Sequence, residues 1–133
     1  PHHPLAEKAV VRDGYCYPWM DIRHTEQEAY ILHPQDQTTG RISAGLFKKA
    51  GINPPVLLFT RNSDIAIRLA ASGTALCLAP ESYVRKIHFD NPPLCFSVGE
   101  PATVTTLYAV YQKGRYIPSY GRYFIELVKE QYR

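Results

Sequence analysis

The chain has 133 residues, 45% apolar and 20% charged, which supports one buried core and excludes a disordered tract. Fifteen Lys and Arg against twelve Asp and Glu leave +3 with neutral histidines, too small a balance to mark a nucleic-acid face. No run of about 18 apolar residues could span a membrane, and Pro1-His2-His3-Pro4 lacks the basic start and apolar run of a signal peptide.

The sequence starts without Met, so a piece of a longer protein is expected. Cys16, Cys77 and Cys95 form no C-x-x-C pair, and their odd number argues against a disulfide framework. A reducing compartment, the cytoplasm, fits that usage better. Cys77 lies in the apolar run Ala75–Ala79, where a thiol acts as an inert small hydrophobe.

Residues 1–28 read as irregular, broken by Gly14 and Pro18, with Asp21 placed to cap a short helix. Ala29 to Leu32 is a short apolar run, expected as a buried strand. His33 to Gln37 is a polar loop. Thr38 to Ala50 follows as a helix, because Ile42, Leu46, Phe47 and Ala50 recur on one face of a 3.6-residue period. Gly51 suits the left-handed position that ends a helix, and Pro54 blocks continuation.

Pro55 to Thr60 is the second expected strand. Asn62 or Ser63 can cap the next helix, whose apolar face carries Ile65, Ala66, Leu69 and Ala70, with Gly73 as its end. Thr74 to Ala79 is the third strand, and its near-continuous apolar character predicts burial on both faces. Pro80-Glu81-Ser82 opens a short helix. The alternation of strand and helix is that of right-handed βαβ crossovers on a mostly parallel sheet, an α/β fold.

Two turns, Asp90 to Pro93 and Gly99 to Pro101, interrupt this rhythm around a connecting strand at Leu94 to Val98. Val104 to Tyr111 alternates as a longer strand. A last helix is expected from Pro118, with Tyr120, Phe124 and Leu127 as its buried stripe.

None of the common catalytic signatures is present: no G-x-S-x-G, Walker loop, H-E-x-x-H or G-x-G-x-x-G. His2, His3, His24, His33 and His88 are scattered without metal-ligand spacing. The loop from His33 to Thr39 stands out instead. It leaves the C-terminal end of a strand and enters a helix, where ligands of open α/β sheets gather. The helix start offers unpaired N–H groups to an anion. Gln35, Gln37, Thr38 and Thr39 add neutral donors and acceptors, while the Asp36 carboxylate would repel an anion unless turned away. The basic and aromatic mixture Lys113 to Tyr116, with Tyr120, Arg122 and Tyr123, reads as exposed turns beside a helix's buried stripe rather than as a nucleic-acid surface.

Several motifs resemble the effector-binding domain of LysR-type transcriptional regulators. His3-Pro4-Leu5-Ala6 is similar to that family's H-P-L-A. Glu28-Ala29-Tyr30-Ile31-Leu32 resembles its E-P-F-I-L strand, with Ala29 in the proline position. Leu46-Phe47-Lys48-Lys49-Ala50-Gly51-Ile52-Asn53-Pro54 resembles L-F-x-x-A-G-x-x-P. Leu69 to Pro80 resembles A-A-G-x-G-I-x-x-x-P, with Ala75 in place of the second glycine. Tyr111 to Pro118 is similar to Y-x-K-x-R-x-x-x-P. The order and spacing of these motifs run across nearly the whole chain, and Ala9 to Asp21 is longer than the family pattern.

The resemblance implies a type-2 periplasmic-binding-protein-like fold of two α/β lobes. Residues 1–95 would be the second lobe, and residues 96–133 a return segment belonging to the first. It implies a regulatory domain, not an enzyme, with no cofactor and no metal. A small, anionic effector would bind between the lobes and act allosterically on transcription. Pro34, Gln35, Asp36, Gln37 and Thr38 would contact it, with Asn62, Ser63 and Ser97 as further contacts. DNA would be bound only through a helix-turn-helix domain that this chain does not contain, no membrane would be involved, and a homo-oligomer is expected from the uncovered strand and helix near the C-terminus. The alternative is a solute-binding protein of the same lobe architecture.

Overall fold

The computed structural model describes residues 3–104, 106 and 108–131. Three strands, β1 (Tyr30–Leu32), β2 (Val56–Phe59) and β3 (Leu76–Cys77), form a parallel sheet in the order β2-β1-β3. Helix α1 (Thr38–Ala50) links β1 to β2, and α2 (Ser63–Ala71) carries the chain back across β1 to β3. A short helix, α3 (Glu81–Val84), follows β3. Two compact units result, Pro1–Thr103 and Val104–Arg133.

Helix α1 has the bounds its apolar periodicity predicts. It ends at Gly51, whose φ of 70° lies in the left-handed region, and the Ile52 N–H closes back on the Phe47 carbonyl at 3.1 Å. Its buried face meets the central strand through Phe47, whose ring packs edge-on against Tyr30 with centroids 5.1 Å apart. Ile22, Tyr30, Leu32 and Phe47 form the core, with Leu46, Ala50, Ile52, Leu76, Leu78 and Val98 packed around them. The Tyr30 hydroxyl donates to Thr25 Oγ1 at 2.7 Å, and Thr25 Oγ1 donates to the Ile22 carbonyl at 2.6 Å. This chain satisfies both buried hydroxyls and ties the 3₁₀ segment Ile22–Thr25 to β1. Asp21 caps that segment, as its position predicts, accepting from the Arg23 N–H.

The structure corrects the expectation for the third strand. β3 is half-buried, and β1 is buried along its whole length. The reason is strand order: β1 takes the centre and has a neighbour on each side, while β3 and β2 each have one. β2 is exposed at all four positions although each residue is apolar.

Two further expectations differ. Leu94 to Val98 forms no extended strand; Ser97 alone makes a parallel bridge, with Trp19. The strand expected over residues 104–111 is not formed by residues 104, 106 and 108–111, and Thr105 and Leu107 lie outside the described residues. Alternating side chains define a strand only when a neighbouring backbone accepts its ladder.

The unit Val104–Arg133 contains helix α4 (Ser119–Gln131), which starts one residue after Pro118 as predicted. Its apolar stripe is not buried: Tyr120, Tyr123, Phe124 and Leu127 are exposed. The 3.6-residue pattern is correct, but a short segment holding one helix has too little surface of its own to cover that stripe.

Residues Val10 to Met20, which the sequence leaves unassigned, form a strap across the segment Ser97–Glu100. Val10 and Trp19 exchange two backbone hydrogen bonds, at 2.8 and 2.7 Å. Ser97 N–H donates to Pro18 O, and Met20 N–H donates to Ser97 O.

Candidate functional site

The strand order reverses at β1, and the loop leaving β1 lies at that reversal, on the C-terminal edge of the sheet. His33 continues directly from the buried strand and is itself only 3% exposed. Its Nε2 lies 3.0 Å from Ser63 Oγ at the start of α2, and its Nδ1 is buried without a partner. Burial pushes the His33 pKa below the ordinary value of 6.5, because the charged ring would lose hydration without gaining an anion. The ring is therefore neutral at neutral pH and bridges the first two strand-to-helix loops.

Gly40 shapes the same loop. A Cβ there would lie 2.1 Å from the Pro34 carbonyl oxygen and 2.5 Å from that of His33. The absence of a side chain lets the loop fold down against the first turn of α1. The Gln37 N–H donates to Pro34 O at 3.0 Å, closing a turn.

Gln37 occupies the capping position of α1 without a side-chain capping bond. Its amide Nε2 instead donates to the Arg61 carbonyl at 3.4 Å. The amides of the first turn of α1 thus keep the positive partial charge of an uncapped helix start. Asp36, which the sequence presents as a possible repulsion, turns to Arg61 in an ion pair of 2.5 Å. Arg41, one turn into α1, reaches back to Asp36 O and Thr38 Oγ1, both at 3.3 Å. The loop is held from both ends.

Asn62 is the N-cap of α2: its Oδ1 accepts from the Ile65 N–H at 3.2 Å. That bond occupies the side chain, whereas Ser63 faces His33. The structure therefore brings Pro34, Gln35, Asp36, Gln37 and Thr38 into one neighbourhood with Asn62 and Ser63. Ser97 is placed differently. Its hydroxyl oxygen accepts from the Tyr17 N–H at 3.3 Å, and its backbone bonds to Pro18 and Met20, so the strap holds it.

Sequence reasoning misses one residue of this neighbourhood, Arg61, which is not singled out at all. His33 opens the loop that stands out in the sequence, but its link to Ser63 is not legible there. The signal for Arg61 is its position, two residues past β2 on the sheet edge that receives the loop after β1. The chemistry available is recognition: a helix start, a guanidinium, a neutral imidazole with a hydroxyl, and several amides. Among the described residues, no group of three or more His, Cys, Asp or Glu side chains is placed to hold a metal ion.

The family model of the LysR substrate binding domain matches residues 1–133. The chain belongs to this family. Among solved structures, it is similar to the one titled "Effector binding domain of QuiR in complex with shikimate", with a TM-score of 0.65 and 18% identity. That match covers 97% of this chain and 56% of the other. No curated protein matches the chain. The parallel sheet with flanking helices is thus the periplasmic-binding-protein-like fold of the LysR substrate binding domain. Domains of this family are regulatory rather than catalytic. Among the described residues, no helix is long and apolar enough to cross a membrane.

Proposed function

We propose that this LysR substrate binding domain senses a small anionic effector and passes its occupancy to transcription control as a change in conformational equilibrium. The observation that carries the reading is the convergence of the uncapped start of α1 with Arg61, His33 and Ser63 at one edge of the sheet. A carboxylate placed there meets backbone N–H groups and a guanidinium together. The fold's similarity to an effector-binding domain solved with shikimate makes that anion the first probe.

In this reading residues 1–95 are the second lobe, residues 96–133 return to the first, and the effector sits between lobes. Contact with DNA belongs to a helix-turn-helix domain, and the regulator works in the cytoplasm. Self-association is part of the reading, because β2 presents four exposed apolar residues on a sheet edge. A strictly monomeric particle in light scattering at high concentration counts against that part.

The test is calorimetric titration with shikimate and a panel of small carboxylates. Gln35→Ala and Thr38→Ala are expected to weaken binding while leaving the melting temperature of the free domain nearly unchanged, since both side chains are exposed. Undiminished affinity in both variants moves the site elsewhere.

A further inference from the structure

Arg61 is built in two halves that behave differently. Its backbone is fixed: the carbonyl accepts from Gln37 Nε2, and on either side Thr60 N–H bonds to Leu32 O and Asn62 N–H to Thr60 Oγ1. Its side chain is 65% exposed and meets Asp36, itself 58% exposed, through a single Nη2–Oδ2 contact. A guanidinium carries five donors in a planar fork matched to two oxygens of one anion, so this one contact leaves most of the fork unused. An ion pair so open to water contributes little to folding and opens readily.

Charge placement makes the pair more than a surface contact. Asp36 is one residue from the uncapped start of α1, where a free carboxylate would compete with any anionic ligand. The other nearby cation, Arg41, is already engaged with Asp36 O and Thr38 Oγ1 of the loop. Asp64, at the start of α2, is engaged by Arg68 at 2.9 Å. Among the described residues, Arg61 is therefore the cation at this sheet edge whose one side-chain partner is a carboxylate beside the start of α1, which an incoming anion can replace. The buried His33, neutral and with Nδ1 unpartnered, adds a polar group between the two helix starts without adding charge.

We infer that Arg61 is the specificity-determining cation of this site and that Asp36 is its internal competitor, so that a small carboxylate or phosphate oxyanion binds by taking Arg61 from Asp36. The inference deepens the effector-sensing reading and rests on it for the site's purpose. Exchange of one anion for another keeps the guanidinium paired in both states. A neutral ligand of the same shape cannot make the exchange, and the site rejects it.

The experiment is calorimetric titration of inorganic phosphate and, separately, of shikimate at low ionic strength. It uses the wild-type chain, Asp36→Asn, Asp36→Asn/Arg61→Gln, and Asp64→Asn as a control that removes the same charge without freeing Arg61. Asp36→Asn is expected to bind phosphate up to about fivefold more tightly than wild type, fivefold being the upper range for release from an exposed ion pair. The double variant and Asp64→Asn are expected to show no such gain. The inference is overturned if Asp36→Asn shows no detectable phosphate binding, if it gains no more than Asp64→Asn, or if the double variant keeps the gain. If phosphate follows the expected order while neither shikimate nor any other carboxylate binds wild type or Asp36→Asn, the exchange at Arg61 stands and the effector-sensing reading falls.

Discussion

The indole Nε1 of Trp19 donates to the carbonyl oxygen of Gly99 at 3.1 Å, and the Tyr15 hydroxyl donates to the same oxygen at 3.0 Å. The guanidinium of Arg12 stacks 3.5 Å above the indole and pairs with Glu100, whose carbonyl accepts from Lys49 at 2.6 Å. The turn at Gly99, with φ of 92°, is thereby held from the strap and from α1 together. Trp19→Phe keeps the aromatic ring but loses the donor. It is expected to lower unfolding stability by about 1 kcal/mol, the usual contribution of one hydrogen bond. Tyr15→Phe is expected to cost a similar amount, and Trp19, the only tryptophan in the chain, reports its unfolding by fluorescence.

Gly40 and Gly45 lie in the same helix and predict opposite outcomes. A Cβ at Gly40 collides with two backbone carbonyls, whereas one at Gly45 meets nothing within 4 Å. Gly40→Ala should destabilise by about 3 kcal/mol, because the loop after β1 must move. Gly45→Ala should stabilise by about 0.5–1 kcal/mol through helix propensity alone. Denaturant midpoints of the two variants check both signs.

His33 makes stability fall in mild acid. Its folded pKa is depressed by burial below 6.5, so as pH falls the unfolded chain takes up its proton first. Stability is full above the unfolded value and declines from about pH 6.5 toward the folded one. His33→Gln should flatten this part of the profile, measured as melting temperature against pH. A variant curve parallel to wild type there assigns the acid sensitivity to another group.

Asp21 acts lower on the scale. Arg23, through its side chain and its backbone N–H, holds the carboxyl down at about 2 against an ordinary 3.8. The stability it lends is present above 3.8 and is lost as pH falls toward 2. Asp21→Asn should lower the melting temperature at pH 7 by a few degrees, through loss of the cap charge, and remove the slope in that acidic window.

The three free thiols should differ in reactivity. Cys77 is largely buried, and burial pushes its pKa up to about 11, so it should resist a thiol-exchange reagent at pH 8 until the chain unfolds. Cys16 is exposed and should react first, although a hydrogen bond with Glu81 raises its pKa. Glu81→Gln should speed that reaction by increasing the thiolate fraction, as followed by mass spectrometry.

Much of the local architecture is legible without coordinates. The bounds of α1 follow from Ile42, Leu46, Phe47 and Ala50 with Gly51 and Pro54, and the caps at Asp21 and Asn62 follow from side chains that bond to amides two or three residues away. The loop after β1 was legible too, as polar residues between a buried strand and a helix. Arg61 was not, because its relation to Asp36 spans 25 positions of sequence. Nor was the strap legible, since Trp19 and Gly99 meet across 80 positions.

Sequence by itself determined what depends on neighbours along the chain: the period of each helix, its caps and stops, and the family motifs in their order. Tertiary structure alone decided which strand takes the centre, where Asp36 turns its carboxylate, and that α4's stripe stays uncovered within its unit. The physical reason is the range of the forces. Backbone sterics and capping bonds act within a few residues, whereas burial and ion pairing depend on which distant segments are brought together.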